Sequence, residues 1–70
     1  MTIGKKIREL RKKQELSQDA LANELGFAQQ TVYLWEIDKY EPSLFNCICL
    51  ADYFGISLDE LACRDYKGDK

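Results

Sequence analysis

Seventy residues make one small domain, near the lower limit at which a single hydrophobic core holds a chain together. The chain is 46 % apolar and 31 % charged, carries a net charge of −2 and has no histidine. It has no apolar run of about 18 residues to span a bilayer, and the opening Met-Thr-Ile-Gly-Lys-Lys has no apolar stretch behind its charges, so neither a membrane span nor a secretion signal is expected and the expected compartment is the cytoplasm. Cys47-x-Cys49 is too tight for a usual zinc pair and Cys63 alone cannot complete a tetrahedral site, so the cysteines read as reduced thiols, with no metal and no cofactor. Catalysis has no foothold. There is no histidine base, no Gly-rich phosphate loop and no cysteine with an activating partner. The charge is also uneven: residues 1–13 hold six basic side chains against one acidic, residues 14–70 four against eleven. An acidic total therefore does not exclude a polyanionic partner, because the local field decides.

Helical spacing runs through the chain. Thr2 is placed to cap a helix over Ile3 to Gln14, with Ile3, Ile7 and Leu10 inward and Lys5, Lys6, Arg8, Lys12 and Lys13 outward. Ser17 caps a second helix, Gln18 to Leu25, with Asp19 in its first turn to suit the helix dipole. Gly26 stands where that helix must stop, and glycine adopts the left-handed conformation of such a stop without cost. Ala22 is small where a third helix would cross closely, and Phe27 fills the corner. The third helix covers Gln29 to Glu36, with Val32 and Trp35 inward and Gln29, Gln30, Tyr33 and Leu34 outward; Ala28 is a poor cap for it. Pro42 ends the following loop, and Ser43 caps a fourth helix, Leu44 to Phe54, with an expected inward stripe of Leu44, Cys47, Ile48, Ala51 and Phe54. Gly55 stops it, and Ser57-x-x-Glu60 reads as a capping box for a last helix from Leu58 to about Cys63. The domain is expected over residues 1–63, with residues 64–70 a polar, frayed tail.

Two short helices joined through a glycine turn make a helix-turn-helix, whose second helix enters the DNA major groove. A glutamine amide carries both a donor and an acceptor, matching N7 and N6 of adenine, so Gln29 and Gln30 are the candidate base readers. The start of the second helix offers Gln18 and backbone N–H groups to a phosphate, and Thr31 can reach a phosphate or a thymine methyl. Tyr33 and Leu34 complete the candidate base-contacting row.

These residues resemble the phage-repressor (Cro, or xenobiotic-response-element) family of helix-turn-helix domains. The likeness is carried by Leu16-Ser17-Gln18, Ala22, Gly26 and Val32-x-x-Trp35-Glu36. It extends through Ile3-Gly4-x-x-Ile7-Arg8-x-Leu10-Arg11, Pro42-Ser43-Leu44 and Phe54-Gly55-Ile56-Ser57-Leu58-Asp59-Glu60-Leu61. The resemblance implies an all-α, five-helix lambda-repressor-like bundle that acts as a sequence-specific transcriptional regulator, a repressor by type. Its partner would be double-stranded DNA with a two-fold symmetric site, bound by a homodimer whose surface comes from the last helix and the loop before helix 4. It implies that Lys39 and Tyr40 clamp a second phosphate, and that Arg11 of helix 1 pairs with Glu36 to tie the recognition helix down. The sequence departs from the pattern at Glu15, Ala28, Ile37, Asp38 and Glu41, and acids in a phosphate-facing loop imply weaker attraction. The alternative is a protein-interaction module of the same fold, antitoxin-like or an anti-regulator, favoured by the acidic majority and by Tyr33 beside Leu34.

Overall fold

The computed structural model describes residues 2–63, which form five α-helices and no strand. They are α1 (Ile3–Lys13), α2 (Gln18–Leu25), α3 (Gln29–Glu36), α4 (Leu44–Phe54) and α5 (Leu58–Leu61). The expected polar tail over residues 64–70 lies outside the described residues.

Short hydroxyl side chains start four of the helices. The hydroxyl of Thr2 accepts the Lys5 N–H at 3.1 Å, Ser17 that of Ala20 at 3.0 Å, Ser43 that of Asn46 at 3.2 Å and Ser57 that of Glu60 at 3.0 Å. Only α3 starts bare: Ala28 is extended and has no cap bond, a loss of about 1 kcal/mol against a serine. The return bond of a capping box, from the Ser57 N–H to the Glu60 carboxylate, is absent among the described residues, so α5 has half of the expected device.

Helix ends share one closure. A residue in left-handed conformation follows the last turn, and the next N–H reaches back five residues. Gly26 (φ 79°) and Gly55 (φ 71°) do this for α2 and α4, with Phe27 N–H to Ala22 O at 2.8 Å and Ile56 N–H to Ala51 O at 3.0 Å. Glu15 (φ 58°) does it for α1, with Leu16 N–H to Arg11 O at 3.1 Å. Asp38 (φ 65°) does it for α3, with Lys39 N–H to Leu34 O at 3.0 Å. A side chain in this conformation costs roughly 1–2 kcal/mol, less for aspartate, which tolerates it.

The core draws one wholly buried aliphatic from each helix: Ile7, Leu21, Val32, Leu50 and Leu61. Each contributes about 1.5–3 kcal/mol of burial. Phe27 meets Trp35 edge-on, with ring centroids 5.1 Å apart at 81°, and closes the corner between α2 and α3.

Two boundaries and one face differ from the sequence reading. α1 ends at Lys13, with Gln14 as its cap, and α5 ends at Leu61 instead of Cys63, which takes a positive φ of 63°. On α4 the inward stripe is Cys47, Leu50, Ala51 and Phe54, while Leu44 and Ile48 lie outside, 71 % and 39 % exposed. The run Leu44–Ala51 is apolar nearly all round, so two stripes sharing Cys47, Ala51 and Phe54 fit the periodicity equally well. The fully covered Leu50 marks the one that packs.

α1 and α3 approach at Gly4, where backbone meets backbone. A Cβ at Gly4 would collide with the Trp35 carbonyl oxygen and come within 2.7 Å of Asp38 Oδ1. In an open helix, glycine to alanine stabilises by about 0.5–1 kcal/mol. Here Gly4→Ala should instead lower stability by about 1–3 kcal/mol, the usual cost of overpacking, read as a drop in the urea midpoint. A raised midpoint would mean that α1 and α3 are not in main-chain contact.

Candidate nucleic-acid interface

The outward face of α3 starts with amides and ends with apolar groups. Gln29 and Gln30 are exposed in its first turn, Tyr33 follows one turn later at 40 % exposure, and Ile37 lies just past the end at 48 %. Thr31 and Leu34, also expected on this face, are half-buried on its flanks. Lys39 and Tyr40 are exposed in the turn beyond α3. Gln18 is half-buried at the start of α2.

Behind that face lies a buried ion pair. Arg11 and Glu36 are each 8 % exposed. Arg11 Nε donates to Glu36 Oε2 at 2.7 Å and Nη2 to Glu36 Oε1 at 2.9 Å, the fork-to-fork geometry that gives arginine–carboxylate pairs their strength. Arg11 Nη1 donates to the Leu16 carbonyl at 2.8 Å, which holds the turn between α1 and α2. The hydrogen bonds to Glu36 raise the pKa of Arg11 against the opposing effect of burial. No buried side-chain N or O among the described residues lacks a partner, so the pair meets the condition for burying charge.

The network continues to the surface. Gln18 Nε2 donates to Glu36 Oε1 at 3.1 Å, and Gln29 Nε2 donates to Gln18 Oε1 at 2.7 Å. The structure thus joins Arg11, Glu36, Gln18 and Gln29 in one chain from α1 to the exposed start of α3. Gln30, Lys39 and Tyr40 stand apart from it, with no side-chain hydrogen bond or ion pair among the described residues.

The first acid of the loop does not face outward alone. Asp38 Oδ2 lies 3.3 Å from Lys5 Nζ, so this carboxylate is turned back onto α1. The Thr2 hydroxyl and then the Lys5 ammonium hold its carboxyl below the ordinary 3.8. Glu41 is exposed. Arg8, outward on α1 and outside the expected site residues, lies three residues from Arg11 and so on the same side of α1. It lines a cleft of about 260 Å³ together with Arg11, Gln18, Tyr33, Glu36 and Ile37. Organic ligands occupy pockets of about 300–1,000 Å³, so this cleft is small for one. The cysteines Cys47, Cys49 and Cys63 are free thiols, and no cluster of three metal-ligating side chains occurs among the described residues.

Two short helices packed on each other, with Ala22 buried on the first, a glycine stop between them and an outward amide row on the second define a helix-turn-helix domain. A family model described as helix-turn-helix matches residues 7–61, and the chain belongs to that family. It is 34 % identical over 56 residues to an uncharacterized HTH-type transcriptional regulator of Methanocaldococcus jannaschii, covering 80 % of this chain and 85 % of that protein. It is 30 % identical over 61 residues to the HTH-type transcriptional activator BcrR of Enterococcus faecalis, covering 87 % of this chain but only 30 % of the activator's length. Among solved structures it is similar to the P22 c2 repressor in complex with a synthetic operator. The TM-score is 0.84 at 31 % identity, covering 93 % of this chain and 98 % of that one. The solution structure of the DNA-binding domain of the P22 c2 repressor gives 0.83 at 28 % identity, covering 100 % and 92 %. The five-helix fold is thus that of the P22 repressor domain.

Two outcomes test this site. Arg11→Met and Glu36→Leu should each lose about 3–5 kcal/mol, because each strands a buried partner, and the double variant should lose clearly less than the sum. Urea midpoints for the four proteins give the coupling, and zero coupling would dissolve the pair. For Asp38 the sign follows from its depressed pKa: the stabilisation is present above the unfolded value and is lost as pH falls through the folded one. The stability gap between wild type and Asp38→Asn should therefore be flat above about pH 5. It should shrink as the pH drops below 3.8, and a gap that widens on acidification would contradict the contact with Thr2 and Lys5.

Proposed function

We propose that this chain is a sequence-specific DNA-binding transcriptional regulator that inserts α3 into the major groove. The observation that carries the reading is the exposed row of Gln29, Gln30 and Tyr33, anchored from behind by Arg11 and Glu36. Gln29 and Gln30 lie in the first turn of the helix, where a recognition helix contacts base edges. Tyr33 and the exposed part of Leu34 bring apolar surface to thymine methyls and sugars. Gln18 at the start of α2, Thr31, and Lys39 with Tyr40 beyond α3 are the phosphate contacts of this reading, on either side of the groove-facing helix. With Asp38 held on Lys5, the loop opposes phosphates less than its composition suggests.

A single module buries little surface, so the regulator works as a homodimer on a two-fold symmetric site. Exposed apolar side chains at Leu44 and Phe45, just past the loop before α4, and at Leu58 support self-association through that loop and the start of α5. Repression is the reading for the regulatory sense, and the cytoplasm, where bacterial and archaeal DNA lies, is the compartment. No enzymatic step is assigned.

Neutral base readers and charged clamps separate in a salt series. Gln30→Ala should weaken binding to a selected duplex by about 1–3 kcal/mol and leave a scrambled duplex nearly unaffected. Lys39→Ala should weaken both and reduce the slope of log affinity against log salt by about 1 per subunit. Equal weakening of both duplexes by both substitutions would mean that α3 reads no bases. Salt-independent retention of any duplex, or none at all, would leave the interaction-module reading in its place.

A further inference from the structure

Three cations of α1 lie toward α3: Lys5, Arg8 and Arg11. Two of them are taken. Lys5 is drawn onto Asp38, and Arg11 onto both oxygens of Glu36. Arg8 is exposed and makes no side-chain hydrogen bond or ion pair among the described residues.

Arg8 borders the cleft of about 260 Å³ that also has Gln18 of α2 and Tyr33 of α3 in its lining. The single acid among the lining residues is Glu36, which Arg11 neutralises, so the charge left in the cleft is that of Arg8. Gln18 is neutral, and its amide is engaged on both sides, Nε2 with Glu36 and Oε1 with Gln29. Ile37, at the other wall, offers no polar group. A planar guanidinium with several donors matches two oxygens of a phosphate. A cleft small for an organic ligand still admits one phosphate group. We infer that Arg8 is a DNA-binding residue that holds one backbone phosphodiester at the mouth of this cleft, beside Tyr33. The inference rests on the reading of α3 as the groove-facing helix. Arg8 then acts on every sequence alike and ties α1 itself to the duplex backbone.

The test compares wild type with Arg8→Gln, Arg8→Lys and Lys13→Gln. Lys13 is the control: it loses the same charge about 140° further round the helix. Arg8→Gln should weaken selected and scrambled duplexes alike, by about five- to tenfold at 0.1 M salt, and reduce the slope of log affinity against log salt by about 1 per subunit. Arg8→Lys should keep the slope, and Lys13→Gln should stay near wild type. Each phosphate of the selected duplex is then replaced in turn by an uncharged methylphosphonate. Arg8→Gln should become insensitive at one position per half-site where wild type is sensitive, and match wild type at the others. This pattern does not respond to the folded fraction, so a change in stability cannot imitate it. An unchanged pattern in Arg8→Gln, or an equal loss of slope in Lys13→Gln, overturns the inference. Inorganic phosphate, exchanged for chloride at constant ionic strength, should leave duplex affinity unchanged. A saturable loss that Arg8→Gln abolishes would make the cleft a site for a free anion and overturn the assignment to the duplex. A folded wild type that is insensitive at every phosphate overturns the DNA reading itself.

Discussion

The bidentate contact between Arg11 and Glu36 is the constraint on which the rest of the domain turns. Through one guanidinium it holds α1, the turn at Leu16 and the last residue of α3 together, and through Glu36 it reaches the first residue of α2. The end of α1, the turn and helix start that follow it, and the distant end of α3 share one polar centre beneath the candidate interface. A buried ion pair adds little net stability compared with apolar packing, because desolvation offsets most of the attraction. Its effect here is geometric. An apolar contact would tolerate a sliding or rotated α3, whereas a two-pronged hydrogen-bonded pair accepts one register.

That constraint explains how a helix with weak local signals stays in place. α3 has eight residues, no capping side chain and an aspartate in the left-handed position after its end. Alone, a helix of this length would be marginal in water. It is held by Val32 and Trp35 in the core, by the edge-on Phe27, by the main-chain contact at Gly4 and by Glu36 at its last residue. Tertiary packing replaces propensity where the sequence must keep its outward positions free for recognition.

Much of this was legible in the sequence, because the signals that start and stop helices are local. Ser17, Ser43 and Ser57 stand immediately before apolar periodic runs, and Gly26 and Gly55 immediately after them, and the helices follow these marks. The face of α4 was not legible, since a run apolar on all sides fits two stripes and only packing against α5 and the core selects between them. The direction in which Asp38 points was hidden for a different reason. Its partner Lys5 lies 33 residues away, and no local pattern couples them. The same holds for Gln18, whose link to Glu36 requires the third dimension; only its place at a helix start can be read along the chain.

The contact at Gly4 has a kinetic meaning. Main-chain atoms of α1 and α3 meet there with no side chain between them, so no rotamer change lets the recognition helix move toward α1. The ion pair blocks rotation, and the core at Val32 and Trp35 blocks retreat. A helix restrained in this way meets its target already in its bound shape, with little ordering left to do at the encounter. Association is then governed by diffusion, orientation and the basic charge of α1, and a change of site sequence is felt mainly in how long the complex lasts.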